Sequence, residues 1–259
     1  MAAVRQRLAD FTDAEFAAFA KTGYPFYWLS FDAEAQARHA RLMRAAAGGA
    51  PLVVENRVDQ KRGVTEITLY TADHAGLFSR IAGALAFSGA NIVDAKVMTM
   101  ANGMALDTFW VQDLAGRPFD RPDKLANLAV VFEKVLTGEL KLHREFARPP
   151  AIPSRTEVFR VAPRVLVDNK ASRSHTVIEV NGRDRPGLLF ELTRELTRLN
   201  LQVSSAKIST YGEKVVDVFY VKNLFGLKVD NPAKSAEIRA TLEAVLAKAN
   251  PPKIAAAAE

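Results

Sequence analysis

The sequence predicts an α+β fold, with two tandem βαββαβ units behind a helical N-terminal segment. Three observations carry this expectation. Residues 73–85, DHAGLFSRIAGAL, return at 184–196 as DRPGLLFELTREL, an offset of 111. Each stretch starts a polar turn and then sets apolar residues at helical spacing. Each is followed by two runs of alternating apolar and polar residues that read as a hairpin. Two occurrences are too few for a solenoid, so the pattern reads as a tandem domain duplication.

The elements follow in order. TEITLYT (65–71) and TVIEVNG (176–182) alternate as first strands. In the first helices, Leu77, Ile81 and Leu85 share one face, as do Leu188, Leu192, Leu196 and Leu199. NIVDAKVMTM with MALDTFWVQD, and QVSSAKISTY with KVVDVFYVKN, form the hairpins. The alignment slips by one at ANG (101–103) against GE (212–213), so that Asp107 matches Asp217 and Phe109 matches Phe219. A hairpin turn tolerates such a slip. Second helices are expected over about 122–137 and 232–248, with Pro122 and Pro232 near their starts.

For the last strand of the first unit, VFRVAP or RVLVDN (158–169) is the candidate, after a Pro-rich excursion at 149–153. The second unit has only PPKIAAAAE left, so its last strand is expected to be short, absent or supplied by another segment. All pairings are expected to be antiparallel, with two helices per unit on one face of the sheet. The uncovered face or edge is left to meet a second unit.

Residues 1–50 read as helical. Helices are expected from about Asp13 to Lys21 and from about Asp32 to Ala47, the latter stopping at Gly48-Gly49. Between them GYPFYWLSF (23–31) reads as an extended or turning aromatic segment. This region has too little apolar surface for its own core and is expected to pack on something else, such as a domain outside the chain. The expected division is 1–50, 51–170 and 171–259.

Composition narrows the function. The chain of 259 residues has no cysteine, which removes disulfides, thiol nucleophiles and thiolate metal sites. The net charge of +6 is spread among alternating acids and bases. The most basic stretch, Arg144 to Arg173, carries prolines and Glu157 and reads as a solvated linker. No nucleic-acid partner is expected. No apolar run approaches a bilayer span, and MAAVRQRLADFTDAEF lacks a signal-peptide core. The chain is read as cytoplasmic, without a membrane partner.

There is no phosphate-binding or dinucleotide-type glycine loop, no G-x-S-x-G elbow and no H-E-x-x-H or H-x-x-E-H pair. No catalytic residue and no metal ligand is assigned. His74 aligns with Arg185, so a chemistry shared by both units cannot depend on it. Asp107 and Asp217, one per unit, do not make an acid/base pair and read as hydrogen-bonded strand residues. Lys96 and Lys207 read as strand lysines that snorkel or pair with an acid. The turn carries more information. Asp73 and Asp184 are expected to cap the helix, and Pro186 to fix φ in its first turn. Gly76 and Gly187 leave room for another backbone or a ligand. The helix N–H groups favour a carboxylate.

These residues, D-x-x-G-L followed by an amphipathic helix and a hairpin, resemble the ACT domain, a small regulatory module with a ferredoxin-like βαββαβ fold. The resemblance implies amino-acid binding where two ACT domains meet, at the first turn and the start of the second strand. It marks Asp73, His74, Gly76 and Leu77 with Asn91 in the first unit. In the second it marks Asp184, Arg185, Gly187 and Leu188 with Gln202, which stands opposite Asn91 in the alignment.

Over nearly its whole length, from YPFYWLSFDAEAQARHARLM (24–43) through both repeat motifs, the chain is similar to the C-terminal third of the uridylyltransferase/uridylyl-removing enzymes that act on the nitrogen signal protein PII. That family resemblance implies glutamine sensing, PII as a partner through the full-length enzyme, and an ACT-mediated homo-oligomer. It implies no cofactor in these residues, with Mg or Mn needed by the full-length family. The chain carries no nucleotidyltransferase glycine–serine and aspartate motif and no His-Asp dipeptide. Residues 1–50 are accordingly expected to follow a missing HD domain, and the chain to be regulatory. The alternative is a free-standing tandem ACT protein that binds other proteins through its sheet edges.

Overall fold

The structure is a computed structural model that describes residues 1–146, 162–185, 187–211 and 214–248. Four helices come first: α1 (Ala2–Arg7), α2 (Asp13–Ala20), α3 (Pro25–Ser30) and α4 (Ala33–Ala46). Helix α2 starts in a capping box, in which Thr12 and Glu15 satisfy each other's backbone N–H groups. Helix α4 starts at Asp32, whose carboxylate accepts the Ala35 N–H at 2.8 Å. The segment expected to be extended or turning is helical instead. Pro25 sits in its first turn, where no N–H is needed, and Trp28 ties the start down by donating to the Gly23 carbonyl at 2.9 Å.

The first repeat comprises β1 (Leu52–Asp59), β2 (Val64–Ala72), α5 (Leu77–Phe87), β3 (Asn91–Thr99), β4 (Met104–Gln112) and α6 (Pro122–Leu136), with a short α7 (Leu142–Phe146) after it. The second comprises β5 (Arg164–Asp168), β6 (Thr176–Arg183), α8 (Leu188–Arg198), β7 (Leu201–Lys207), β8 (Thr210–Tyr211), β9 (Lys214–Asn223) and α9 (Pro232–Ala247). All described pairings are antiparallel, and they run in one sheet of order β1-β2-β4-β3-β7-β9-β6-β5, with β8 on β9.

The edge strand of each repeat precedes its unit instead of following it. Residues 164–168, expected to close the first repeat, pair with β6 of the second. The first repeat is closed by β1, a segment the sequence reading passed over. The two edges are equivalent: Val54 faces Leu69 in the first and Val165 faces Val180 in the second, both at the repeat offset. A hairpin explains the arrangement locally. The Asp59 carboxylate accepts the Arg62 N–H at 3.0 Å and Gly63 takes φ 65°, so β1 reaches its partner through a short turn. The one-residue slip is also in place, since Ile67 faces Phe109 and Ile178 faces Phe219. The Pro-rich stretch at 149–153, the GE at 212–213, Pro186 and PPKIAAAAE lie outside the described residues.

Helices α5, α6, α8 and α9 cover one face of the sheet, and one apolar core runs through both repeats, with Phe109, Phe132, Phe219 and Leu242 fully buried. The predicted faces hold: Leu77, Ile81 and Leu85 are buried, as are Leu188, Leu192 and Leu196. Burying such side chains contributes about 2 kcal/mol each. The opposite face of the first repeat is covered by the N-terminal segment. Leu8, Phe19, Tyr27 and Phe31 pack with Tyr70, Leu106 and Trp110. That segment packs on the sheet of its own chain, where the sequence reading looked for a partner outside it. Polar contacts hold the seam. Arg38 of α4 pairs with Glu66 of β2 at 2.6 Å. Lys96 donates to the Ser30 carbonyl and lies over the rings of Phe31 and Trp110.

Candidate functional site between the repeats

The two strand-to-helix turns match at their glycines and at the leucines that follow. Gly76 (φ 81°) and Gly187 (φ 79°) stand at the N-caps of α5 and α8 in the left-handed region. The Leu77 N–H donates to the His74 carbonyl at 3.1 Å, and the Leu188 N–H to the Arg185 carbonyl at 3.1 Å. A side chain at either glycine would cost about 1 kcal/mol in backbone strain alone. No side chain caps either helix, so the expected capping role of Asp73 and Asp184 does not hold. Asp73 instead accepts the Thr99 hydroxyl, reaching the end of β3. With glycine as the cap, the helix N-terminus keeps N–H groups directed at the space beyond the turn.

The strand starts are matched as well. Asn200 (φ 60°) and its repeat equivalent Gly89 (φ 77°) turn the chain into β7 and β3. Asparagine is among the few side chains that take this conformation readily.

Joining β3 to β7 brings these parts together crosswise. A cavity of about 690 Å³ lies between the Asp73–Leu77 turn of the first repeat and residues 200–203 of the second, including Gln202. A second, of about 290 Å³, lies between Asp184, Arg185, Gly187 and Leu188 and the first repeat's Asn91. The sequence reading grouped Asn91 with the first turn and Gln202 with the second. The structure puts each against the turn of the other repeat. The larger cavity falls within the usual size range of small-molecule sites, and the smaller lies at its lower limit.

The two cavities differ in filling. A Cβ on Gly187 would stand 2.9 Å from Phe146 of α7, whereas one on Gly76 would be 3.5 Å from its nearest neighbour, Thr197. The Phe146 ring therefore already occupies the approach to the second turn. Arg185 pairs with Glu191 at 2.6 Å, while its Nε and Nη2 are buried without partners. His74 reaches only the neighbouring Ala75 carbonyl, at 3.2 Å. Tyr24 and Phe26, both more than half exposed, stand at the rim of the larger cavity with Leu224.

Sequence reasoning set aside Asp107 and Asp217 as strand residues, yet each lines a cavity and is almost fully buried. Burial, then the charge of Asp73, pushes Asp107 up to about 8 against one N–H bond from Met98. Burial pushes Asp217 up to about 7, with Asp184 adding to it and the Ser209 N–H opposing. Asp184 is itself raised by burial. Their positions in the second hairpin strands, ALDTF and VVDVF, were visible, but their depth was not. Among the described residues no cluster of three metal-ligating side chains forms, and no helix is long and apolar enough to cross a membrane.

Comparison with known proteins agrees with this architecture. Residues 164–255 match the family model of the ACR9-like, ACT-like domain, which starts at β5, the strand that precedes its unit. The chain is 59% identical over 249 residues to the bifunctional uridylyltransferase/uridylyl-removing enzyme of Azospirillum brasilense, covering 95% of this chain and 27% of that protein. It is 49% identical over 254 residues to the same enzyme of Rhodospirillum rubrum, covering 97% and 27%. The chain resembles the C-terminal tandem ACT region of the bifunctional uridylyltransferase/uridylyl-removing enzymes. It spans about a quarter of the length of these relatives, 27% in both cases. Among solved structures, aspartate kinase from Synechocystis is similar at 17% identity with a TM-score of 0.38, covering 71% of this chain and 27% of that one. The matched ACT-like model covers the second repeat, the first has the same order of strands and helices, and the cavities lie at the junction of the two.

Proposed function

We propose that this chain is the glutamine-sensing regulatory region of a PII uridylyltransferase/uridylyl-removing enzyme and acts in the control of nitrogen assimilation. The observation that carries the reading is the composition of the larger cavity. Its turn comes from one repeat and Gln202 from the other, so an amino acid bound there ties the two repeats together. Its carboxylate meets the α5 N-terminus beyond Gly76, and its side-chain amide faces the second repeat. The smaller cavity, with Phe146 over Gly187, is the weaker site. In this reading PII is met by the full-length enzyme, whose catalysis uses Mg or Mn held outside these residues. Self-association runs through the outer edges, β1 and β5.

Calorimetry with glutamine on this chain, with glutamate and serine as controls, tests the proposal. Selective binding of glutamine below millimolar concentration is expected. Binding of all three alike, or of none, sinks it. A second reading, a protein-docking module, is favoured by the exposed Leu224, Phe225 and Leu227 beside the cavity rim. It predicts that Phe225→Ser abolishes partner capture and leaves glutamine binding alone.

A further inference from the structure

We propose that Asp107 is the buried anchor for the ammonium group of the ligand in the larger cavity, with Asp217 its counterpart in the smaller one. This rests on the amino-acid reading above and adds the polarity with which the amino acid lies.

Asp107 lies in β4 opposite Leu69 of β2 and Val97 of β3, and is 1% exposed. One carboxylate oxygen accepts the Met98 N–H at 3.3 Å, and the other, Oδ2, is buried and has no partner. Asp107 nevertheless lines the cavity beneath the Asp73–Leu77 turn. The second repeat places its aspartate at the equivalent strand position. Asp217 is 2% exposed, takes the Ser209 N–H at 3.4 Å, and lines the cavity beneath the Asp184–Leu188 turn. A purely structural role accounts poorly for it, because one long N–H bond does not offset the desolvation of a carboxyl group.

The surrounding charge selects the ligand group. Asp73 stands over Asp107 with its own carboxylate, held by Thr99. The other titratable groups around the cavity are the phenols of Tyr24 and Tyr27 with His74, His175 and Lys222, and Asp107 bonds to none of them. The Asp73 carboxylate, joined by Asp107 once its proton leaves, repels the carboxylate of an amino acid and attracts its ammonium group. Among the described residues no group of three metal-ligating side chains forms here. The ligand therefore lies with its ammonium at Asp107 and Asp73 and its carboxylate toward the helix N-terminus. Asp107 holds a proton below about pH 8, so binding an ammonium group expels that proton.

The test is calorimetry on wild type and Asp107→Asn with L-glutamine and with glutaramate, which lacks the α-amine, at pH 6, 7 and 8 in two buffers of different ionisation heat. Wild type is expected to prefer glutamine by about tenfold or more. It should release a proton on binding and gain up to about tenfold in affinity per pH unit. Asp107→Asn should lose both the preference and the pH slope. If the variant melts early, the proton release and pH slope of wild type decide the matter alone. An undiminished preference in a folded Asp107→Asn overturns the proposal. So does an affinity that falls as pH rises, the mark of a protonated Asp107 donating to a carboxylate. If another amino acid binds and glutamine does not, only the glutamine reading falls, and the comparison is made with that amino acid and its deamino analogue. A chain that binds no amino acid overturns both.

Discussion

Ala95 of β3 and Ala206 of β7 face each other across the junction of the repeats, and each is the other's equivalent within the repeat. Only a local two-fold axis passing between them can place a residue opposite its own counterpart. Both are 1% exposed, and helices α5 and α8 pack over the same junction. The axis is what sets the turn of one repeat against the strand start of the other.

From this crosswise geometry, Gln202→Ala is expected to weaken ligand binding at the Asp73–Leu77 turn about fivefold, the worth of one hydrogen bond. Asn91→Ala should act at the Asp184–Leu188 turn. Amide shifts of Leu77 and Leu188 during a glutamine titration separate the two. An effect of Gln202→Ala seen only at Leu188 would contradict the pairing.

The glycines are expected to respond unequally. Gly76→Ala should cost about 1 kcal/mol of stability from its positive φ. Gly187→Ala meets Phe146 at 2.9 Å as well and should cost about 1–3 kcal/mol more. Adding Phe146→Ala to Gly187→Ala should recover most of that excess. Urea unfolding of the four variants, Phe146→Ala included, reads the coupling, and strict additivity would show that the ring gives way freely.

Asp107 and Asp217 have folded-state values of about 8 and about 7. Both are raised above an unfolded value near 4. The folded chain therefore holds extra protons between these limits. The stability they bring is complete below about pH 4 and is lost as pH rises through 7 and 8. Asp107→Asn and Asp217→Asn are expected to raise the melting temperature at pH 9 and to flatten its decline from pH 5. Melts at pH 5, 7 and 9 check this; variants that melt lower than wild type at pH 9 would refute it.

Lys96 links the N-terminal segment to the sheet through the Ser30 carbonyl and the Phe31 and Trp110 rings. Lys96→Ala is expected to cost about 1–3 kcal/mol and to loosen α3. Amide hydrogen exchange should quicken over residues 25–31 and stay unchanged over α9. Removing residues 1–50 altogether uncovers Tyr70, Leu106 and Trp110, and light scattering should then report self-association.

Much of the fold was legible because its signals are local. The leucines of α5 and α8, the glycine turns and the alternating hairpin strands each depend on residues within a few positions of one another. Strand β1 was legible too, in LVVENRVD before the DQKRG turn, but the βαββαβ order drew attention downstream to 158–169. The two turns were legible as equivalents, but not that Asn91 and Gln202 each lie against the turn of the other repeat, because a repeat seen in sequence shows what is equivalent and not what is adjacent.

The sequence by itself determined that there are two repeats, where their helices and hairpins lie, and that both turns carry glycine. Periodicity and turn residues are properties of the chain's own neighbourhood. Only the tertiary structure decided that an upstream strand closes each unit, that the N-terminal helices cover the first sheet, and that Asn91 and Gln202 exchange partners. It alone put Asp107 and Asp217 beneath the turns as buried carboxyls. Each of these depends on what packs against a residue from outside its own element, often from the other repeat about a hundred positions away. That information is absent from any one stretch of sequence.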